Sequence, residues 1–202
     1  MQSEVQRRLE ETVAGVFWLL AQQKEAINDG YFDLADVTEW AETSESENLT
    51  TSNNYDLSSV LASTVLSVSG IQNTQTNRWL TPSSVQDWDK RSIQWEETTG
   101  EPYEFTLAGL WWLRVFPRKA SAAGSLTIHY TYVPVALSAD GDTPAFPSEF
   151  HPGLVEYALY DLLCQERETD KALAHYAKYL EHREGLRKYV QDRAGYDRVR
   201  RL

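Results

Sequence analysis

The chain has 202 residues, of which 42% are hydrophobic and 12% aromatic, so it holds enough apolar side chains for a sizeable folded core. Its formal net charge is −11, which excludes a protein that coats duplex DNA through clustered Lys and Arg. The single cysteine, Cys164, excludes an internal disulfide framework and a multi-cysteine zinc site. Because Cys164 lies in an apolar helical stretch, we expect a buried, unreactive thiol.

The N-terminal part is predicted to be helical. Val5, Leu9 and Val13 recur at four-residue steps, which is typical of one helical stripe, and the period is lost around Gly15. A second helix is predicted from about Leu19 to Trp40. We expect its inward stripe to comprise Leu20, the Lys24 stem, Ile27, Tyr31, Leu34 and Val37.

The N-terminus has no secretory hydrophobic region and its longest apolar run is too short for a bilayer, so we expect a soluble protein made in a cytoplasm.

The middle of the chain is predicted to form strands. Residues 42–54 are polar without a helical period, and the following residues up to Pro134 are rich in Thr, Val, Ser, Tyr and Trp. The predicted strands are Glu47–Thr51, Thr64–Ile71, Tyr103–Ala108, Trp111–Phe116 and Ser125–Val133, the last two forming a hairpin-like pair. A hydroxyl cap at or before Pro82 predicts a short helix that carries Val85 and Trp88.

The C-terminal part returns to helix. The segment Pro147–Pro152 leads into a third helix, and Thr169 or Asp170 is predicted to cap a fourth, from about Lys171 to Arg193. We expect its inward residues to be Leu173, Tyr176, Tyr179, Leu180, Leu186 and Val190. From Arg183 to the end there are seven basic and three acidic residues, so the first 182 residues carry a net charge of −15.

These elements predict an α+β protein. N- and C-terminal helices form a four-helix core, and an antiparallel β-rich lobe is inserted between them. The predicted segments are N-terminal core helices (1–45), a β-rich lobe with a short helix (46–138), C-terminal core helices (139–193) and a basic tail (194–202).

Catalytic motifs are absent from the sequence. There is no glycine-rich phosphate loop, GxSxG elbow or HExxH pair, and His175 and His182 lie seven residues apart, too far for one metal ion without other ligands. We therefore expect no enzyme activity, no cofactor and no metal. A hydrolase that uses paired carboxylates or His129 stays an alternative, which needs a pocket of convergent titratable groups.

Three tryptophans are candidate contact residues: Trp88, Trp111 and Trp112. Alternation along a strand sends Trp111 and Trp112 to opposite faces, so we expect one in the core and the other on the surface or at a subunit contact. A monomeric carbohydrate- or peptide-binding module that presents Trp and Tyr is a second alternative.

Several short sequence motifs occur in a recognisable order. They are EAINDGY at 25–31, NLTT at 48–51 with YDL at 55–57, RWLTP at 78–82, GEPY at 100–103 with LRVFP at 113–117, and DTPAFPSEFHPGLVEYALY at 142–160. In order and spacing they resemble the tailed-bacteriophage head-to-tail adaptor proteins, also called connector or head-completion proteins, over about residues 19–192. The chain departs from that pattern at Ser58, where the family has Pro, and before Leu19.

The resemblance implies a structural virion protein of the neck, between the capsid vertex and the tail. It implies a homo-dodecameric ring below the portal protein, which extends the channel for dsDNA without specific binding and offers a surface to a tail or nozzle/stopper protein; no membrane is involved. A tail-side neck or tail-completion ring protein is the nearest alternative. The residues that the resemblance predicts to dock on the portal are Arg193, Tyr196, Arg198, Arg200, Arg201 and Leu202.

Overall fold

The computed structural model describes residues 1–9, 18–61, 64–109, 111–139 and 141–200, with side chains up to residue 193. Contacts divide the chain into two compact units. The helical unit comprises Met1–Ala41 and Val133–Leu202, and the β unit comprises Glu42–Tyr132. With five helices and two four-stranded sheets in the described residues, the predicted α+β class is confirmed. The finer division into four segments stays a prediction.

The helical unit contains four of the helices. These are α1 (Gln2–Arg8), α2 (Leu20–Thr38), α4 (His151–Gln165) and α5 (Thr169–Arg200), while α3 (Val85–Arg91) belongs to the β unit. Their buried stripes form one apolar core, in which Ile27, Leu34, Leu154, Leu162 and Tyr179 are at most 5% exposed. Such burial stabilises each helix far more than its intrinsic propensity does.

The β unit has eight strands. They are β1 (Glu42–Asn48), β2 (Asn54–Asp56), β3 (Val65–Asn73), β4 (Arg78–Trp79), β5 (Thr81–Pro82), β6 (Glu104–Ala108), β7 (Trp112–Phe116) and β8 (Ser125–Tyr132). The first sheet has the order β1-β8-β3-β4 and the second has the order β2-β7-β6-β5. Alternate side chains of both sheets meet in one core, with Ile71, Leu113, Val115, Leu126 and Ile128 fully buried.

The predicted pairing of the last two strands is wrong. β7 pairs with β2 and β6 in the second sheet, whereas β8 lies between β1 and β3 in the first. Alternation identified both strands because it reports which face is buried, but it carries no information about the neighbouring strand. The first strand was also misplaced: β1 covers Glu42–Asn48 rather than Glu47–Thr51.

The caps and ends of two helices differ from the prediction. Ser84, not a hydroxyl at or before Pro82, caps α3, because its side chain accepts a hydrogen bond from the Asp87 amide, while Pro82 lies in β5. Helix α5 continues through Arg200 rather than ending at about Arg193, so the backbone of residues 194–200 is helical. No proline interrupts those residues, and Gly195 is the only poor helix former among them.

Some side chains lie elsewhere than expected. Cys164 is exposed on α4 instead of buried. Leu173 is 56% exposed, and Ala172 takes the buried position at the start of α5. Leu20 and Val37, at the two ends of α2, are also exposed, because the buried positions of those turns are taken by Gln23, Ala35 and Thr38. Val13 and Gly15 lie outside the described residues.

Candidate interaction surfaces

The C-terminal half of α5 carries the basic residues. Arg183 is engaged within the helical unit, with its guanidinium 3.6 Å from Asp33 and 5.8 Å from the centre of the Tyr179 ring. Further along, Arg193 lies over the Tyr189 ring at 5.8 Å. The backbone of Tyr196, Arg198 and Arg200 continues the helix, while their side chains, with Arg201 and Leu202, lie outside the described part of the chain. Positive charge at this position favours the helix, because the C-terminal carbonyls carry the negative end of the helix dipole.

Helix α5 is fixed to the rest of the helical unit by an aromatic cluster. Tyr179 is fully buried, packs edge-on against Tyr157 at 4.9 Å and donates its hydroxyl to Asp33. Burial, followed by the hydrogen bond to Asp33, raises the pKa of Tyr179. Burial likewise raises the pKa of Tyr157 to about 12. These phenols therefore stay neutral hydrogen-bonding groups at neutral pH.

A buried carboxylate connects α1, α4 and α5. Glu156 of α4 is 4% exposed, pairs with Arg8 of α1, and lies 2.7 Å from Nδ1 of His175 of α5. Burial raises the pKa of Glu156, but the hydrogen bonds with His175 and Arg8 outweigh it, so the pKa is lowered overall. The charge is stabilised only while both neighbouring helices are in place, which couples the N-terminal helix to the C-terminal one.

The segment that enters α4 is tied to α2 by side-chain contacts. Asn28 both donates to and accepts from the backbone of Leu137, at 3.1 and 2.8 Å. Phe146 is buried against Tyr31, with ring centres 5.9 Å apart, and its carbonyl lies 3.0 Å from Nε2 of His151. The motif at 142–160, which carries the strongest family resemblance, thus packs into the core of the helical unit.

The three candidate tryptophans occupy different environments. Trp112 is 50% exposed on the outer face of β7, whereas Trp111 is half-buried against the core of the β unit. Trp112 is therefore on the surface, and Trp111 lies at the margin of the core without being fully buried in it. Trp88 is 0% exposed, so its assignment as a contact residue was wrong. Trp88 lies on the inward face of the short amphipathic helix α3. The sequence did not show that this helix packs on the sheet, so it did not show that Trp88 is a core residue.

Trp88 anchors α3 on the second sheet. Its indole Nε1 donates to Oε2 of Glu104 at 2.6 Å, and Arg91 forms two hydrogen bonds to the same carboxylate at 2.7 and 2.8 Å. The hydrogen bonds from Arg91, with a further one from Trp88, lower the pKa of Glu104 although burial opposes them. The ring of Trp88 also lies 4.8 Å from Trp95 and 5.6 Å from Phe116. These contacts serve to hold α3 on the second sheet.

The outer strands of the first sheet, β1 and β4, each have a single neighbouring strand among the described residues. β1 pairs only with β8, and β4 only with β3, within the residues that the structure describes. β1 carries three carboxylates, Glu42, Glu45 and Glu47. The register places Glu45 opposite Ile128 and therefore on the core-facing side, yet Glu45 is exposed. Charges on that side of an edge strand prevent indiscriminate pairing between sheets. Sequence analysis did not identify this strand, because it noted only that the stretch is polar and non-helical and placed the first strand at Glu47–Thr51.

A cleft lies beside β4. It has a volume of about 490 Å³ and is lined by Thr76, Arg78, Glu101, Pro102 and Tyr103. Glu101 pairs with the buried Lys119 and also accepts a hydrogen bond from Asn73 at 3.3 Å. The hydrogen bond from Lys119 lowers the pKa of Glu101. Because Lys119 neutralises Glu101, Arg78 leaves this edge locally positive on an otherwise acidic protein.

Neither a metal site nor a membrane-spanning segment is found in the described residues. No group of three or more His, Cys, Asp or Glu side chains there could hold a metal ion. His129 packs against the ring of Trp79 at 4.8 Å, and His151 and His175 make the local contacts given above. No helix in this part of the chain has both the length and the apolar character needed to cross a membrane.

Comparison with known proteins gives the family. A family model described as SU10 adaptor protein matches residues 1–202, the whole chain. A comparison with curated proteins finds no match. The chain belongs to the SU10 adaptor protein family, a family of structural adaptor proteins of bacteriophages.

Proposed function

We propose that this protein is the head-to-tail adaptor of its phage: copies form a ring below the portal protein, extend the channel for dsDNA and offer the attachment surface for the tail. The observation that carries the proposal is the family match over residues 1–202. Two compact units per chain support it, because an adaptor needs separate surfaces for a head-side and a tail-side partner.

The basic end of α5 is the proposed contact with the portal. Its contact residues are Arg193, Tyr196, Arg198, Arg200, Arg201 and Leu202. The segment from Arg183 onward has a surplus of four positive charges, against −15 for the preceding residues. Arginine forms paired hydrogen bonds with carboxylates, so an acidic cleft between portal subunits is a matching site. The helical backbone through Arg200 supplies a pre-ordered element, which reduces the entropy lost on docking.

The net negative charge of the chain suits a protein that lines a channel for DNA. Phosphate contacts from Lys and Arg would slow the passage of dsDNA, whereas a wall with net negative charge repels it weakly. The net charge of −11 therefore supports passage without specific binding.

The tail-side or subunit contact is proposed at the β6–β7 end of the second sheet. Trp112 is half-exposed there, and Trp111 lies beside it with its ring toward the core. Large aromatic side chains are the commonest anchors of protein interfaces. Trp88 is left out of this surface because it is fully buried.

Binding of the α5 end can be tested by co-sedimentation with purified portal rings of the same phage. Full-length protein, protein truncated at Gly195, and Arg200→Glu/Arg201→Glu are compared. The control is Lys171→Glu, which reverses an exposed charge at the opposite end of α5. We expect the control to bind like the full chain and the other two to be lost from the pellet. Equal binding of all four proteins would contradict the docking role of this segment.

A further inference from the structure

The outer face of the second sheet carries two pairs of hydrogen-bond donors of the same kind. The register of β6 and β7 places Trp112, Arg114 and Phe116 on the face that points away from the core of the β unit. Helix α3 covers the Phe116 end of that face and brings Trp88 and Arg91 onto it. The other end of the face bears Trp112 and Arg114.

The donors at the α3 end share a carboxylate. The Trp88 indole donates to Glu104 at 2.6 Å, and the Arg91 guanidinium donates to it at 2.7 and 2.8 Å. The nearby Trp95 indole likewise donates to Asp89 at 2.8 Å. Indole and guanidinium groups of this unit are therefore satisfied by carboxylates, with which hydrogen bonds are stronger than with neutral acceptors.

Trp112 and Arg114 have no such acceptor. Trp112 is half-exposed and Arg114 partly exposed, and neither side chain forms a hydrogen bond or an ion pair with a residue that the structure describes. The acid beside them in the register is Asp56 of β2, which lies opposite Trp112. Its carboxylate instead accepts a hydrogen bond from the Ser58 amide at 2.9 Å. The two donors are thus open to a carboxylate of another molecule.

Strand β1 carries two carboxylates that also lack a partner. The side chains of Glu45 and Glu47 form no hydrogen bond or ion pair with any described residue, and Glu45 is exposed. Side chains two residues apart on a strand point to the same side and are separated by about 7 Å along it. The two β1 glutamates therefore have the same spacing as Trp112 and Arg114 on β7, so one strand laid along the other can make both contacts at once.

We propose that β1 of one copy lies across the outer face of β7 of the next copy, where the two β1 glutamates accept hydrogen bonds from Trp112 and Arg114. This inference rests on the proposed ring and assigns the exposed Trp112 surface to the contact between neighbouring copies. The two surfaces differ, so the contact is heterologous and repeats from copy to copy, as a ring requires. Charges that oppose strand pairing at the β1 backbone do not oppose this contact, because side chains make it.

Charge exchange between two variants tests the contact. Glu45→Arg/Glu47→Arg and Arg114→Glu each place like charges at the contact, so neither variant alone should form rings in electron micrographs of portal mixtures. A one-to-one mixture of the two variants should restore the rings, because each then offers the other an opposite charge at both of its surfaces. Each variant is first checked for an unfolding temperature like that of the wild type.

A control variant separates this contact from a general effect of net charge. Asp36→Arg/Glu181→Arg changes the net charge by the same amount as the double β1 variant, but it alters two exposed residues of the helical unit. This control should form rings like the wild type. Trp112→Phe keeps an aromatic ring but removes the indole N–H, and it should reduce the fraction of portals that carry a ring.

Cysteine cross-linking locates the contact. In a Cys164→Ser background, which removes the exposed native thiol, Ser46→Cys on β1 is combined with Asn54→Cys, which lies opposite Arg114 on β2. Both positions are exposed. Treatment of assembled rings with a short bismaleimide should give a ladder of dimers, trimers and higher species on a denaturing gel. Chains with either cysteine alone should give no ladder, and dimers without higher species from the double variant would overturn the heterologous contact.

The outcomes separate this contact from the ring itself. Wild-type rings that yield no ladder, or a mixture of variants that fails to restore the rings, would overturn the contact between β1 and β7 and leave the adaptor ring standing. Rings that persist with Arg114→Glu but no longer bind the tail would overturn it too, and would assign the Trp112 surface to the tail-side partner. Absence of a ring with the wild-type chain would overturn both proposals.

Discussion

Gly30 of α2 packs directly against the ring of Tyr157 of α4. A Cβ atom at position 30 would lie 2.9 Å from Cδ1 and Cγ of Tyr157 and 3.0 Å from its Cβ. These distances are shorter than side-chain atoms tolerate, and the tyrosine Cβ cannot rotate away. The glycine, which lowers helix propensity, is therefore required by the close approach of two helices in the core.

Gly30→Ala should destabilise the protein in spite of its higher helix propensity. The gain of roughly 1 kcal/mol in propensity is outweighed by an overpacking cost of about 1–3 kcal/mol, and the clash is with ring atoms next to the backbone. Calorimetry should show a lower unfolding temperature for the variant. Gly185→Ala on α5 is the comparison, because its nearest contact is the outer edge of Phe150 at 3.3 Å, which can give way. An unchanged or higher melting temperature for Gly30→Ala would contradict the packing argument.

Glu156→Gln should destabilise the helical unit in a pH-dependent manner. Removing the buried charge leaves Arg8 and His175 without their shared partner, at a cost on the order of 2 kcal/mol. The pKa of Glu156 is lowered in the folded protein, so its contribution is present above the ordinary carboxyl pKa of about 4.5 and is lost as pH falls through the lower folded value.

Urea unfolding of wild type and Glu156→Gln at several pH values measures this difference. We expect a gap at pH 7 that closes as the pH falls below about 4.5. A gap that stays constant across that range would mean that the ionised carboxylate does not stabilise the fold.

Trp88 and Trp112 should respond to substitution in opposite ways. Trp88→Phe removes a buried hydrogen bond to Glu104 and leaves unfilled space in the core, so we expect a loss of about 1–3 kcal/mol in unfolding free energy. Trp112→Ala removes a half-exposed ring and should change stability by less than about 0.5 kcal/mol, while it weakens attachment of the tail-side partner or of a neighbouring copy. Denaturant unfolding and assembly on portal rings separate the two effects. Equal stability losses would contradict the assignment of Trp112 to a contact surface.

Portal docking through the α5 end should be sensitive to salt. Arginine–carboxylate pairs at a partly exposed interface are screened when the Debye length falls from about 10 Å at 0.1 M to about 3 Å at 1 M salt. Co-sedimentation across that range should show progressive release of the full-length chain. Binding that is unaffected by 1 M salt would point to an apolar contact instead.

Regular patterns in the sequence predicted much of the fold. Period-two alternation located β8, whose Leu126, Ile128 and Tyr130 are buried, and helical spacing located α2 and α4. Both patterns record which side of an element faces the core. They do not record which element lies next to it, and for this reason β7 and β8 were paired although they belong to different sheets.

Residues at surfaces and ends were harder to predict. β1 is polar throughout because it forms a free edge, so its sequence resembles a linker. The fourth helix was predicted to end at about Arg193, before the basic tail, whereas α5 continues through Arg200. Cys164 and Leu173 are apolar residues on exposed helix faces, and no local pattern distinguishes them from core residues.

Electron microscopy of the purified chain mixed with portal rings of its own phage tests the adaptor function most directly. Full-length protein and the form truncated at Gly195 are imaged side by side. We predict an added ring of density at one end of the portal with the full-length chain, continuous with the portal channel, and its loss with the truncated form. Portal rings without added density in the presence of the full-length chain would contradict the head-side position and would favour a ring nearer the tail or a monomeric binding module.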